Sequence, residues 1–106
     1  MTEQEFLVLC ERTLEAIEEA IDECGASVDA SRNERVLELE FDDSSKIIVN
    51  GNAPVREMWV AAKSGGFHFK REGSLWVNTR SAEELFGSLS RLVSLQSGEQ
   101  VVLHDR

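Results

Sequence analysis

Between residues 36 and 77 the chain falls into short apolar runs separated by turns of only a few residues, and this spacing constrains the fold more than any other feature. Strands joined so tightly lie antiparallel, because a parallel neighbour needs a crossover of roughly a dozen residues or more. Val36-Leu37-Glu38-Leu39-Glu40-Phe41 alternates as a half-buried strand does, with Leu37, Leu39 and Phe41 inward. Asp42-Asp43-Ser44-Ser45 reads as a hairpin turn into Lys46-Ile47-Ile48-Val49-Asn50. After the Gly51/Pro54 turn a third strand runs from about Val55 to Lys63, and Gly65-Gly66 breaks it. Phe67 to Lys70 makes a fourth strand, and Glu72-Gly73 turns into a fifth at Leu75-Trp76-Val77. Residues 25–33 read as a polar loop.

A helix is predicted on each side of this meander. Thr2-Glu3-Gln4-Glu5 has the capping-box form, and Phe6, Cys10, Leu14, Ile17, Ile21 and Cys24 follow at helical spacing, with Gly25 as the stop. Ser81-Ala82-Glu83-Glu84 reads as a second capping box, opening a helix with Leu85, Phe86, Leu89, Leu92 and Val93 on one face and its end near Gly98. From there to residue 106 the tail either covers a groove through Val101, Val102 and Leu103 or is loose. Each helix has one apolar stripe to bury, so the order α-β-β-β-β-β-α predicts a two-layer α+β sandwich. Both helices pack on one face of an antiparallel sheet, and the other face meets solvent. At 106 residues this is one domain over 1–106. Cys10 and Cys24 sit on one helix about 21 Å apart, beyond disulfide reach, and read as reduced thiols. No apolar run has the length of a membrane span, and the acidic Met1-Thr2-Glu3-Gln4-Glu5 start is unlike a basic targeting segment, so a cytoplasmic protein is expected.

Charge divides the chain unevenly. Residues 1–43 carry 14 acids against Arg12, Arg32 and Arg35, a net −11, while residues 44–106 carry a net +2. A total of −9 works against nucleic-acid binding, which needs clustered cations. On the first helix Glu11, Glu15, Glu18 and Asp22 fall within about 60° of one another, flanked by Glu19 and Glu23. Six like-charge pairs at i,i+3 and i,i+4 cost on the order of 1–3 kcal/mol before salt screening. Glu18 to Glu23 also crowd a helix end that favours cations. Arg12 is the one cation on the helix to offset this, and a merely solvated face normally interleaves both signs. The functional readings are a surface for hard cations and a docking patch for a basic partner. Glu38, Glu40 and Asp42 extend the stripe if their strand is the sheet edge beside the first helix.

Specific residues carry a resemblance. Lys46-Ile-Ile-Val-Asn50, Pro54, the run Met58-Trp59-Val60-Ala61-Ala62-Lys63-Ser64-Gly65-Gly66-Phe67-His68-Phe69, Trp76, and Ile17-Glu18-Glu19 with Asp22-Glu23 resemble the frataxin family in its bacterial (CyaY-type) branch. The resemblance spans about residues 4–98. It implies an acidic ridge that binds ferrous and ferric iron weakly and docks on the cysteine desulfurase of iron–sulfur cluster assembly. It also implies an outer sheet face that meets the desulfurase and the scaffold protein. Carried over by position, the ridge is Glu11, Glu15, Glu18, Glu19, Asp22 and Glu23, with Asp29, Glu38, Glu40 and Asp42 as a weaker extension. The partner-binding set is Glu18, Glu19, Asp22, Asn50, Asn52, Trp59 and His68. The protein is expected to be a monomer, with metal-driven oligomers left open.

Strand alternation puts Trp59 on the outer face, where either a partner or the neighbouring Arg56 or Lys63 covers it. His68 alternates outward as a surface residue or an auxiliary iron contact, Trp76 reads as core, and Asn50 either pins the turn before Pro54 or touches a partner. No nucleophile–base pair, G-x-S-x-G or phosphate loop is present, so the chain is not expected to be an enzyme, and any ferroxidase activity belongs to bound iron. The competing reading is a metal-independent acidic interaction module that regulates a basic partner.

Overall fold

The computed structural model of the chain describes residues 1–105. Its elements are α1 (Glu3–Cys24), β1 (Val28–Asn33), β2 (Val36–Phe41), β3 (Lys46–Asn52), β4 (Glu57–Ala62), β5 (Gly65–Glu72), β6 (Leu75–Asn78) and α2 (Leu85–Ser97). The six strands form one antiparallel sheet in the order β1-β2-β3-β4-β5-β6, so every neighbour in sequence is a neighbour in space. Both helices bury their apolar stripes on one face, as the two-layer α+β reading requires. Phe6, Cys10, Leu14, Ile17 and Ile21 from α1 meet Leu37, Leu39, Ile47, Val49, Met58, Val60 and Phe69 from the sheet and Leu85, Leu89, Leu92 and Val93 from α2. Trp76 is core: its Nε1 donates to Thr13 Oγ1 at 3.0 Å, and Phe6 meets it edge-on at 6.1 Å. The Thr2–Glu5 capping box is present, and α1 ends on Gly25 in the left-handed region.

The polar loop expected over 25–33 is instead an edge strand. β1 pairs with β2 throughout, Val28 opposite Phe41 and Arg32 opposite Leu37. Its inward positions are Val28, Ala30 and Arg32, so the alternation of apolar residues that marks a strand is missing. The inward arginine belongs there because it reaches the carboxylates of α1, and an inward charge also protects an edge against pairing with other chains. Two further expectations shift. β4 begins at Glu57, because Ala53 to Arg56 form the turn, with Arg56 at φ 57°. Gly65 and Gly66 lie within β5, opposite Ala62 and Ala61, around a turn of Lys63 and Ser64.

The cap of α2 also moves. Glu84, not Ser81, is the N-cap and accepts from the Phe86 amide at 3.1 Å. Glu83 is drawn away from a capping role by Ser88 (2.6 Å) and Arg91 (2.9 Å). The tail is a cover as far as it is described. Val101 and Leu103 are buried, their amides donating to Ser94 Oγ (2.9 Å) and Ser90 Oγ (2.8 Å), while Val102 faces outward; residue 106 lies outside the described residues.

One close approach ties α1 to the sheet. Gly51 lies against Cys10, and a Cβ built on it would stand 2.6 Å from Cys10 Sγ. Cys10 is fully buried, its thiol 3.5 Å from Met58 Sδ.

Candidate functional site: an acidic helix face and an aromatic sheet face

The outward face of α1 carries Glu11, Glu15, Glu19, Asp22 and Glu23 exposed and Glu18 half-buried. Arg32 alters how this face works. From β1 its Nη1 lies 2.9 Å from Glu11 Oε1 and its Nε 2.8 Å from Glu18 Oε1, and Nη1 also donates to the Glu11 carbonyl at 3.4 Å. The offsetting cation is therefore Arg32, whereas Arg12 faces the hollow formed with Met1, Val8, Arg71 and Gly73. Among the described residues Glu15, Glu19 and Asp22 have no ion-pair partner. Among the same residues no group of three or more His, Cys, Asp or Glu stands close enough to share a metal ion. Carboxylates on a convex helix face diverge, so such a row attracts a cation through its summed field.

The proposed extension of the ridge does not continue this face. The edge strand beside α1 is β1, so the condition for Glu38, Glu40 and Asp42 fails. Asp29, Glu38 and Glu40 fall on the sheet face turned away from the helices, with Asp29 directly opposite Glu40. Glu38 pairs with Lys46 at 3.5 Å, and Asp42 stands exposed in the turn after β2.

Across the outer face runs a row set by register: Val36, Asn50, Trp59 and His68 are successive cross-strand partners. Trp59 and His68 stack, ring centroids 4.4 Å apart and planes at 11°. Of the two candidates for covering the indole, Arg56 bonds the Ala53 carbonyl and Lys63 reaches Asp43 at 3.5 Å, and the ring stacked on Trp59 is that of His68. Asn50 lies within β3 and pins no turn; Asn52 does so, its Oδ1 accepting from Val55 N at 3.4 Å. The residue missed by sequence reading is Glu57. Its Oε1 accepts from Trp59 Nε1 at 2.8 Å and lies 3.6 Å from His68 Nδ1, an ion pair when the imidazole carries a proton. The available signal was position: two residues before Trp59 on one strand is the same face.

The helix–sheet–helix frame that carries these two surfaces is matched in known proteins. A frataxin-like domain model matches residues 1–99. The chain belongs to the frataxin family. It is 54% identical to the iron–sulfur cluster assembly protein CyaY of Herminiimonas arsenicoxydans, over 99% of this chain and 98% of that one. It is 53% identical, with the same coverage, to the protein of that name from Janthinobacterium sp. (strain Marseille). Among solved structures, the frataxin of Psychromonas ingrahamii superposes with a TM-score of 0.92 at 34% identity, covering 99% of this chain and 100% of that one. Yeast frataxin shares the fold, with a TM-score of 0.63 at 21% identity over 89% of this chain and 79% of that one. The frataxin resemblance read from the Trp59–Phe69 run is thereby established over nearly the whole chain.

Cys10, the buried thiol of α1, lacks the character of a nucleophile. Burial pushes the Cys10 thiol up to about 11, which keeps it protonated and unreactive at neutral pH. Cys24, half-buried, donates to the Ile21 carbonyl at 3.1 Å, and both cysteines are free thiols. No helix among the described residues is long and apolar enough to cross a membrane.

Proposed function

We propose that this frataxin-family chain is a cytoplasmic, non-catalytic regulator of iron–sulfur cluster assembly. It carries iron, ferrous or ferric, as weakly held cargo on the acidic face of α1, and it contacts the cysteine desulfurase and its scaffold protein. The acidic face steers association, and the outer sheet face around Trp59 anchors the complex. The observation that carries this reading is Glu15, Glu19 and Asp22, left without a cation among the described residues on a helix where they repel one another. The near-complete match to relatives named for iron–sulfur cluster assembly supports the same reading. A convex, solvated row of oxygen ligands suits hard cations in fast exchange and does not build a closed cage. Oxidation of iron held there is chemistry of the metal, with no protein acid or base assigned to it.

One observation favours the metal-independent module as a second reading. The acidic face already binds a guanidinium, that of Arg32, so an arginine-bearing partner finds the same chemistry. Titrating Fe²⁺ into the protein, with amide resonances followed alone and with the desulfurase, separates the two. Paramagnetic broadening centred on Glu15, Glu18, Glu19 and Asp22, and weakened by salt, is the expected result. Broadening confined to His68 overturns the iron assignment, and unchanged spectra beside intact desulfurase binding establish the second reading. Sedimentation of the same samples reads out metal-driven oligomers.

A further inference from the structure

The outer sheet face has no helix over it, yet three of its side chains are tied together. Glu57 and Trp59 share a face of β4, and His68 is the cross-strand partner of Trp59 on β5. The imidazole covers one face of the indole, and one oxygen of Glu57 takes the indole N–H while facing the imidazole. The Glu57 side chain is only 17% exposed, withdrawn from water on a face where full solvation was available. Loss of that solvation is offset by the 2.8 Å bond to Trp59. An unheld tryptophan on an open sheet samples several rotamers, and a partner must then fix one on binding.

We propose that Glu57 is a positioning residue: it fixes the pose of Trp59, with His68 stacked behind it, so that the docking surface is formed before the partner arrives. This rests on the reading of the outer face as a docking surface. With its N–H satisfied internally, the indole presents ring carbon, so it fits an apolar contact on the partner and needs no acceptor there. Asn50, adjacent in the same row and without a side-chain hydrogen bond among the described residues, is the polar contact that remains open.

The test compares Glu57→Ala with Glu57→Gln, whose amide oxygen still accepts from the indole. In the free protein, the Trp59 indole N–H resonance is expected to shift and broaden in Glu57→Ala and to stay near its original position in Glu57→Gln. The Trp76 indole, bonded to Thr13, is the internal control and stays put in both. In surface-immobilised kinetics with the desulfurase–scaffold complex, Glu57→Ala is expected to dissociate about three- to tenfold faster and Glu57→Gln to stay near wild type. An unchanged Trp59 resonance in Glu57→Ala overturns the clamp. An altered resonance with unchanged dissociation overturns its docking role. If Trp59→Ala also binds normally, the docking reading itself fails, and the free-protein spectrum still decides the clamp.

Discussion

The two faces of this molecule are organised in opposite ways. On α1, Glu15, Glu19 and Asp22 have no ion-pair partner among the described residues, while Glu11 and Glu18 are drawn together by an arginine from β1. On the sheet, Glu57, Trp59 and His68 touch one another and share one carboxylate oxygen. The first arrangement acts through a field that reaches a Debye length and fades with salt. The second acts only at contact and depends on geometry fixed in advance. A charged row is therefore expected to lose one member and keep most of its effect, whereas the aromatic group is expected to fail when one member is removed.

The comparison breaks most readily at Trp59. Trp59→Ala is expected to cost about 2 kcal/mol of partner affinity, roughly thirtyfold, almost all in faster dissociation. The counterpart on the helix is the double reversal Glu19→Lys with Asp22→Lys. It is expected to slow association about tenfold at low salt and to flatten its salt dependence, with dissociation little changed. The same variant is expected to melt a few degrees higher, because it removes like-charge pairs and places cations near the α1 C-terminus. Binding kinetics at two salt concentrations and a thermal melt check both; equal losses in both rates would erase the distinction between the faces.

Arg32→Ala sharpens the comparison from the other side. It removes the cation that pairs with Glu11 and Glu18, and the expected cost is about 1 kcal/mol of stability, a fall in melting temperature of about 5 °C. The freed Glu11 and Glu18 should then speed association with a basic partner. For the same reason Glu18→Lys, which sets a cation beside Arg32, is expected to destabilise where Asp22→Lys stabilises. The smallest effect lies outside both faces. Hydrogen bonds from Arg91, then Ser88, hold the Glu83 carboxyl below the usual carboxylate range. Its contribution is present above that range and is lost as pH falls through the lowered value. Glu83→Gln should therefore remove about 0.5 kcal/mol near neutral pH and nothing in strong acid, as read by urea melts across pH 2–7.

What could be read from the residues alone was whatever burial imposes on them. The stripe from Phe6 to Ile21, the alternation from Leu37 to Phe41 and the core position of Trp76 all follow from apolar spacing, and all appear as expected. β1 was illegible because its inward residue at 32 is an arginine, placed there by a partner 14 residues away on another element. The start of α2 was misplaced because Ser81-x-x-Glu84 satisfies the capping pattern locally while Glu84 caps the helix and Glu83 is claimed by Arg91. Of the two surfaces, the acids of α1 were legible as a helical face. That Glu38 and Glu40 lie on the opposite side of the sheet was not, since it turns on which strand is at the edge. The role of Glu57 needed the β4–β5 register, which no local pattern carries.

The contact between Gly51 and Cys10 restricts the order in which this sequence can drift. A methyl group at 51 would stand 2.6 Å from the buried sulfur, well inside any real contact, so the substitution is costly while the cysteine remains. Replace Cys10 by alanine first, and the obstructing atom is gone. The second change then fills part of the space the first one opened. The two positions, 41 residues apart in the chain, are thus epistatic, with one mutational path open and its reverse closed. In the descendants of such a chain a side chain at 51 should be found beside a small residue at 10, with the change at 10 the older.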